Sequence, residues 1–229
     1  MSSPGTEAGS ASGPASGAAL LDLVAVMDRL RSPGGCPWDA EQTHASLVPY
    51  LLEETYEAVE ALESGDRAHI VEELGDVLLQ VVFHARIGQE DPVAPFGIDE
   101  VAAGIAAKLR RRHPHVFADG TADTPEAVSA AWAVIKAQER AAKAASAPAG
   151  ASPPGPLDGI PAGMPSLARA AQVVARLDRA GRGDLVDTAA AGDSAGSRLL
   201  ALVAEIVRER DDPDAALRAA VRHLTDAAR

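Results

Sequence analysis

The chain has 229 residues, 47% of them hydrophobic, and a formal net charge of -12. That charge argues against nonspecific binding to nucleic acid or an anionic membrane surface, and no apolar run approaches the length of a bilayer-spanning helix. A single cysteine excludes an intramolecular disulfide framework, and without a basic-then-apolar leader the expectation is a cytoplasmic protein.

In chain order, residues 1–19 are rich in Ser, Gly, Ala and Pro and read as a disordered tail, having too few large apolar groups to fold. Leu20, Leu23, Val24, Met27 and Leu30 recur at helical spacing and predict a short amphipathic helix ending near Arg31-Ser32-Pro33. Gly34 to Trp38 reads as a loop, and Asp39-x-x-Gln42 resembles a capping box that opens a new helical turn. Two longer helices follow, separated by Ser64-Gly65-Asp66, a stop followed by a new N-cap. Their expected apolar stripes are Val48, Leu51, Leu52, Val59 and Leu62 on the first, and Ile70, Leu74, Leu78, Val81 and Ala85 on the second. Asp99 is the expected cap of a fourth helix that runs out at His113-Pro114, and Thr124-Pro125-Glu126 starts a fifth. Residues 144–156 read as a Pro/Ala/Gly-rich linker. Beyond it Leu167, Val174 and Leu177 mark one helix, Leu199 to Val207 another, and Asp212-Pro213-Asp214 the start of a last one. No segment alternates with period two for long enough to make a strand, so the expected fold is all-α.

The feature with the most chemical content is the pair Glu54-x-x-Glu57 and Glu73-x-x-Asp76, placed symmetrically about Gly65. Folding the hairpin antiparallel brings Glu57 level with Glu73 and Glu54 level with Asp76. Neighbouring side chains three apart have Cβ atoms about 5–6 Å apart, and packed helix axes lie about 8–10 Å apart. The four carboxylates therefore converge, and their mutual repulsion calls for a cation. Acidic helices are commonly just solvated, but the mirrored spacing favours a metal site. An all-oxygen ligand set selects Mg²⁺, with Mn²⁺ as a substitute, over Zn²⁺. His69 and His84 lack a Glu three residues before them, so a di-iron carboxylate site is not indicated. Mg²⁺ held in this way shares its coordination with water and substrate phosphates, and Lys108, Arg111, Arg112, His113 and His115 supply cations suited to phosphate. The same cluster also suits a basic helix terminus that complements the helix dipole.

Gly35-Cys36-Pro37-Trp38-Asp39 with Gln42-Thr43-His44, Glu53-Glu54-Thr55-Tyr56-Glu57, Glu73-Leu74-Gly75-Asp76 and the run from Lys108 through Arg111, Arg112 and His115 to Phe117 resemble the MazG nucleoside triphosphate pyrophosphohydrolases. The resemblance spans about residues 20–143, including Trp132, Lys136 and Glu139, and marks that stretch as the catalytic domain. It implies an all-α NTP pyrophosphatase bundle, an intertwined homodimer, and Mg²⁺-dependent cleavage of (d)NTPs to nucleoside monophosphate and pyrophosphate in nucleotide pool cleaning. It also implies Glu54, Glu57, Glu73 and Asp76 as metal ligands and Glu53 as a residue that orients or deprotonates water. Lys108, Arg111, Arg112 and His115 are then substrate-binding candidates, and Trp38 and Gln42 candidates for the nucleoside pocket. Trp38 reads equally as a packing anchor, and Cys36 as a packed thiol rather than a nucleophile. The competing reading is a catalytically silent interaction or regulatory protein whose acidic patch holds a structural metal or none.

Residues 157–229 begin like the second domain of two-domain relatives, then diverge. Gly75 to Leu79 followed by Val82 aligns with Gly196 to Leu200 followed by Val203 at an offset of 121 residues, by chance or as a degenerate repeat. In that register Ser194 and Ser197 stand at the ligand positions, and no metal site is expected there.

Overall fold

The computed structural model describes residues 17–145 and 155–229. The expected tail, up to residue 16, and most of the expected linker lie outside the described residues. Every regular element among the described residues is a helix. The chain divides into two units, residues 1–128 and 129–229, with the division inside a helix.

In the first unit α1 (Ala18–Arg31) is followed by α2 (Pro37–Glu41), α3 (Val48–Ser64), α4 (Arg67–Gly88), α5 (Ile98–Arg112) and the short α6 (Pro114–Phe117). The turn between α3 and α4 forms as the sequence predicts. Gly65 closes α3 in the left-handed region at φ 74°, which a residue with a Cβ adopts only at a cost. Asp66 then caps α4, its carboxylate accepting from the N–H of Ala68 at 2.9 Å and of His69 at 3.5 Å. A tight antiparallel hairpin results.

Three expectations change. The turn expected to open at Asp39 begins at Pro37, whose fixed φ suits the first helical position, leaving Asp39 inside α2. The fourth helix is capped at Gly97 rather than Asp99, because Glu100 Oε2 reaches back to accept from the Gly97 N–H at 2.9 Å. The largest change concerns packing. The helices were expected to share a core through their apolar stripes; Ala85 is buried and Leu51, Val59 and Ile70 are half-buried, but Val48, Leu52 and Leu62 on α3 and Leu74, Leu78 and Val81 on α4 are all exposed. At 100° per residue these lie on the sides of α3 and α4 opposite Glu54, Glu57 and Glu73. The buried residues of α3 are Ala58 and Ala61, on the same side as Glu54 and Glu57, and small alanines permit close approach of α4. On its other side α4 packs against α1 through Met27, Val82 and Phe83, joined by Leu47 from the turn before α3 and flanked by Leu23, Val24 and Leu30.

Arg31, at the end of α1, organises that packing. Its side chain is 3% exposed and makes a two-pronged pair with Glu90 at 3.1 and 2.7 Å. Its Nη1 donates to the carbonyls of Asp39 and Gln42, and the guanidinium lies 5.5 Å from the Phe83 ring centre. One buried cation thus ties α1, the end of α2 and the segment after α4 together.

The second unit contains most of α7 (Pro125–Ala145), with Thr124 Oγ1 accepting from Ala127 N–H at 3.2 Å as predicted. It continues with α8 (Ser166–Arg179), α9 (Gly183–Ala190), α10 (Ala195–Arg208) and α11 (Pro213–Ala227). Here α9 is an addition to the expected helices. Val174, Leu177, Val186, Val203 and Ala204 form an apolar core among α8, α9 and α10. Asp212 caps α11 as expected.

Candidate metal and nucleotide site

Two residues of α3 and one of α4 meet as the hairpin requires. Glu54, Glu57 and Glu73 each offer a carboxylate oxygen, and these oxygens all lie within 4.8 Å of one another. Glu73 is 9% exposed, an unusual place for a carboxylate unless it is paired or ligating. Asp76 falls outside this mutually close trio but belongs to the same field. Burial, then the charges of Asp76, Glu57, Glu53 and Glu73, push the Glu54 carboxyl above its ordinary range. Uncompensated negative charge is therefore concentrated here. Hard oxygens at this spacing fit a divalent cation of the Mg²⁺ type, which would neutralise the crowding.

Sequence reasoning missed a neighbour of this group. His69 Nε2 lies 3.2 Å from Glu73 Oε1, one helical turn earlier. The spacing of four is a readable signal. Carboxylate ligands are commonly held by such outer hydrogen bonds, and His69 is placed to fix the rotamer of Glu73.

Glu53 sits beside the cluster on the exposed side of α3. Trp38 is 49% exposed and packs edge-on against Tyr50 at 5.8 Å and Phe83 at 6.5 Å between ring centres. Two aromatic neighbours thus hold it while about half of its surface stays open. Gln42 is engaged locally: its Nε2 donates to the Trp38 carbonyl at 2.9 Å and its Oε1 accepts from Ser46 Oγ at 2.7 Å. That arrangement braces the Trp38 segment. Lys108 and Arg111 are exposed and Arg112 and His115 half-buried at the end of α5 and in α6, where the His113 and His115 rings stand 5.6 Å apart.

Two polar side chains further along α4 also went unread. Gln80 is 4% exposed and its Oε1 has no hydrogen-bond partner. His84, one turn on, faces His44 with the Nδ1 atoms 2.8 Å apart and stacked rings. Its Nε2 is buried without a partner. Burial, and then the neighbouring His44, hold His84 below the usual histidine range. Ser194, expected at a ligand-equivalent position, instead caps α10, its Oγ accepting from the Ser197 N–H at 3.0 Å.

Comparison with known proteins bears on this geometry directly. The MazG nucleotide pyrophosphohydrolase domain matches residues 42–117, the stretch that contains all four carboxylates. A Streptomyces cacaoi protein, described as an uncharacterized 26.1 kDa protein in the blaB 3′ region, is 46% identical over 213 residues, covering 93% of this chain and 82% of that protein. The nucleoside triphosphate pyrophosphohydrolase of Mycolicibacterium smegmatis is 47% identical over 168 residues, 73% of this chain and 48% of the relative. That of Escherichia coli K12 is 45% identical over 160 residues, 69% and 57% respectively. The chain thus spans about half the length of the named pyrophosphohydrolases that it matches.

Proposed function

The chain belongs to the MazG nucleotide pyrophosphohydrolase family, and from that premise we propose that it hydrolyses nucleoside triphosphates to the monophosphate and pyrophosphate. The observation that carries this reading is the convergence of Glu54, Glu57 and Glu73 within the matched domain. Glu54, Glu57, Glu73 and Asp76 would hold Mg²⁺, or Mn²⁺ in its place, which would supply Lewis acidity toward phosphoryl oxygens and water. The protein's own groups do the rest. Glu53 orients the attacking water and accepts its proton. Lys108, Arg111, Arg112 and His115 bind phosphate oxygens and favour the charge that builds on the departing pyrophosphate. Trp38 offers its open face to the base, held in place by Gln42 and Arg31. A net charge of -12 makes such local cations and a divalent ion necessary for binding a polyanion.

The active form is a homodimer. The exposed apolar residues of α3 and α4 offer surface that a second copy would cover. Pool cleaning in the cytoplasm follows for an enzyme with broad (d)NTP substrates. None of the described helices is long and apolar enough to cross a membrane. The 157–229 region is a degenerate second MazG-like region without catalytic ligands.

Two measurements test this reading. Equimolar release of pyrophosphate and nucleoside monophosphate from a mixed NTP panel, dependent on added Mg²⁺, is the expected result; no release from any NTP rejects it. Light scattering at micromolar concentration should give twice the chain mass, and an active monomer rejects the dimer.

A further inference from the structure

The hairpin register that joins the carboxylates continues beyond them. Glu57 stands level with Glu73 and Glu54 with Asp76, so the next turns set Tyr50 of α3 level with Gln80 of α4. Gln80 follows Glu73 by seven residues, two helical turns, which returns it to the same side of α4 about 10 Å further along the axis. Phe83, three residues on, is its neighbour on the helix surface. Trp38 touches both Phe83 and Tyr50. Gln80 therefore lies between the metal-binding carboxylates and the aromatic group, on the side of α4 that carries Glu73.

Its amide oxygen is left without a hydrogen-bond partner among the described residues, although the residue is more than nine-tenths buried. Buried amides are ordinarily hydrogen-bonded, and an unpaired one asks for an explanation. His84, one turn on, continues the stripe with a second buried and unpaired atom, Nε2. By contrast Gln42, the amide that the motif pattern pointed to, has both ends engaged.

We propose that Gln80 is the base-reading residue of the nucleotide site, its amide pairing with the hydrogen-bonding edge of a nucleobase stacked at Trp38. The inference rests on the NTP reading above and deepens it. A primary amide presents one acceptor beside one donor. Each of the four bases shows a matching neighbour pair: N6–H and N1 in adenine, N4–H and N3 in cytosine, N1–H and O6 in guanine, N3–H and O4 in uracil. Rotation of the amide about its last torsion exchanges donor and acceptor. One glutamine thus accepts every base and rejects none, so the site selects nucleotides without choosing among them. A carboxylate in its place would offer two acceptors. Only guanine shows two adjacent donors, N1–H and N2–H.

The test uses the full chain with Mg²⁺ and measures kcat and KM on ATP, CTP, GTP, UTP and N3-methyl-UTP. The wild type should turn over the four natural nucleotides with similar kcat/KM and show a raised KM for N3-methyl-UTP. Gln80→Met should raise KM for the natural nucleotides by roughly three- to tenfold, the loss of one or two neutral hydrogen bonds. In that variant kcat should change little, and UTP and N3-methyl-UTP should become equivalent. Gln80→Glu should shift kcat/KM toward GTP by about tenfold relative to UTP. A packing role alone would move melting temperature without changing the ranking of bases. If the wild type is active and Gln80→Met keeps the preference for UTP over N3-methyl-UTP, the assignment is overturned and Gln80 is an interior residue holding a water. Should Gln80→Glu fail to fold, Gln80→Met alone decides. Absence of turnover of all four nucleotides by the wild type rejects the hydrolase reading instead, a distinct outcome.

Discussion

In the first unit the buried set includes Arg31, Glu73 and Gln80 beside Met27, Leu47, Val82 and Phe83, whereas α8–α11 bury Val174, Leu177, Val186, Val203 and Ala204. The ion pairs of the second unit stay at the surface: Arg208 reaches Asp178 at 3.0 Å and Asp187 at 2.8 Å, with its side chain 42% exposed. Both units leave leucines exposed, Leu52, Leu62, Leu74 and Leu78 in the first and Leu199, Leu202, Leu217 and Leu224 in the second. Polar burial, rather than apolar exposure, sets the α3–α4 hairpin apart and marks it as a region shaped for ligands. The buried residues of the other unit's core are apolar throughout.

The contrast can be broken most forcefully at the carboxylates. Glu57→Gln or Asp76→Asn should lower turnover by more than about a hundredfold, exceeding the effect typical of altering an outer partner of a metal ligand. Circular dichroism should show the helices intact, and relief of repulsion around Glu54 should leave the metal-free melting temperature unchanged or higher. Val174→Ala in the other unit is the complementary change. It should cost about 1–3 kcal/mol of stability through lost burial and a cavity, without altering kcat per folded molecule. A chain ending at Ala144 should likewise retain full activity per site.

Arg31→Met comes next in size, at roughly 2–4 kcal/mol in chemical denaturation, because two carbonyls and Glu90 lose their buried partner. The linked pH effect has a definite sign. Hydrogen bonding from Arg31 holds the Glu90 carboxyl below its ordinary value of 4.5. A carboxyl lowered in the folded state stabilises the fold above its unfolded value, and that contribution disappears as pH falls through the folded value. Glu90→Gln should therefore be less stable than wild type near neutrality and should lose less on acidification below about pH 4.5. Equal acid sensitivity of the two proteins would remove the pair from the account.

How much of this was readable from the chain follows from the range of each rule. Gly65 and Asp66 obey local rules, a left-handed stop and a capping carboxylate, and the symmetric spacing of Glu54, Glu57, Glu73 and Asp76 needs only that hairpin to become a cluster. The start of α2 was misread because a capping pattern at Asp39 competed with Pro37 at a first helical position, and the proline set the boundary. At α5, Asp99 is a good cap by type, but Glu100 reaches Gly97 and moves the start two residues back. The stripes of Leu52 and Leu62 on α3 and of Leu74 and Leu78 on α4 each stand on one side of their helix as periodicity requires, but not in the interior, since periodicity says which residues stand together and not what covers them. Arg31 and Gln80 carried no signal of burial, because nothing in their own segments reports the helices that pack over them.

A smaller expected effect sharpens the reading of His69. His69→Ala should weaken Mn²⁺ binding, read by titration calorimetry, by about tenfold, and His69→Gln should recover part of it by offering a donor near the position of Nε2. Unchanged affinity in His69→Ala would mean the histidine only decorates the helix. Smallest of all, Arg208→Met should leave the melting temperature nearly unchanged, since its partners are solvated and such pairs contribute little.

The central claim, that the α3–α4 carboxylates make this chain an NTP pyrophosphohydrolase, is tested most directly by product analysis with wild type and Glu57→Gln side by side. With Mg²⁺ and a mixed NTP panel, the wild type should yield nucleoside monophosphate and pyrophosphate in equal amounts, with no orthophosphate, and the folded variant should yield neither above background. Orthophosphate as the product, or undiminished pyrophosphate release from Glu57→Gln, would contradict it.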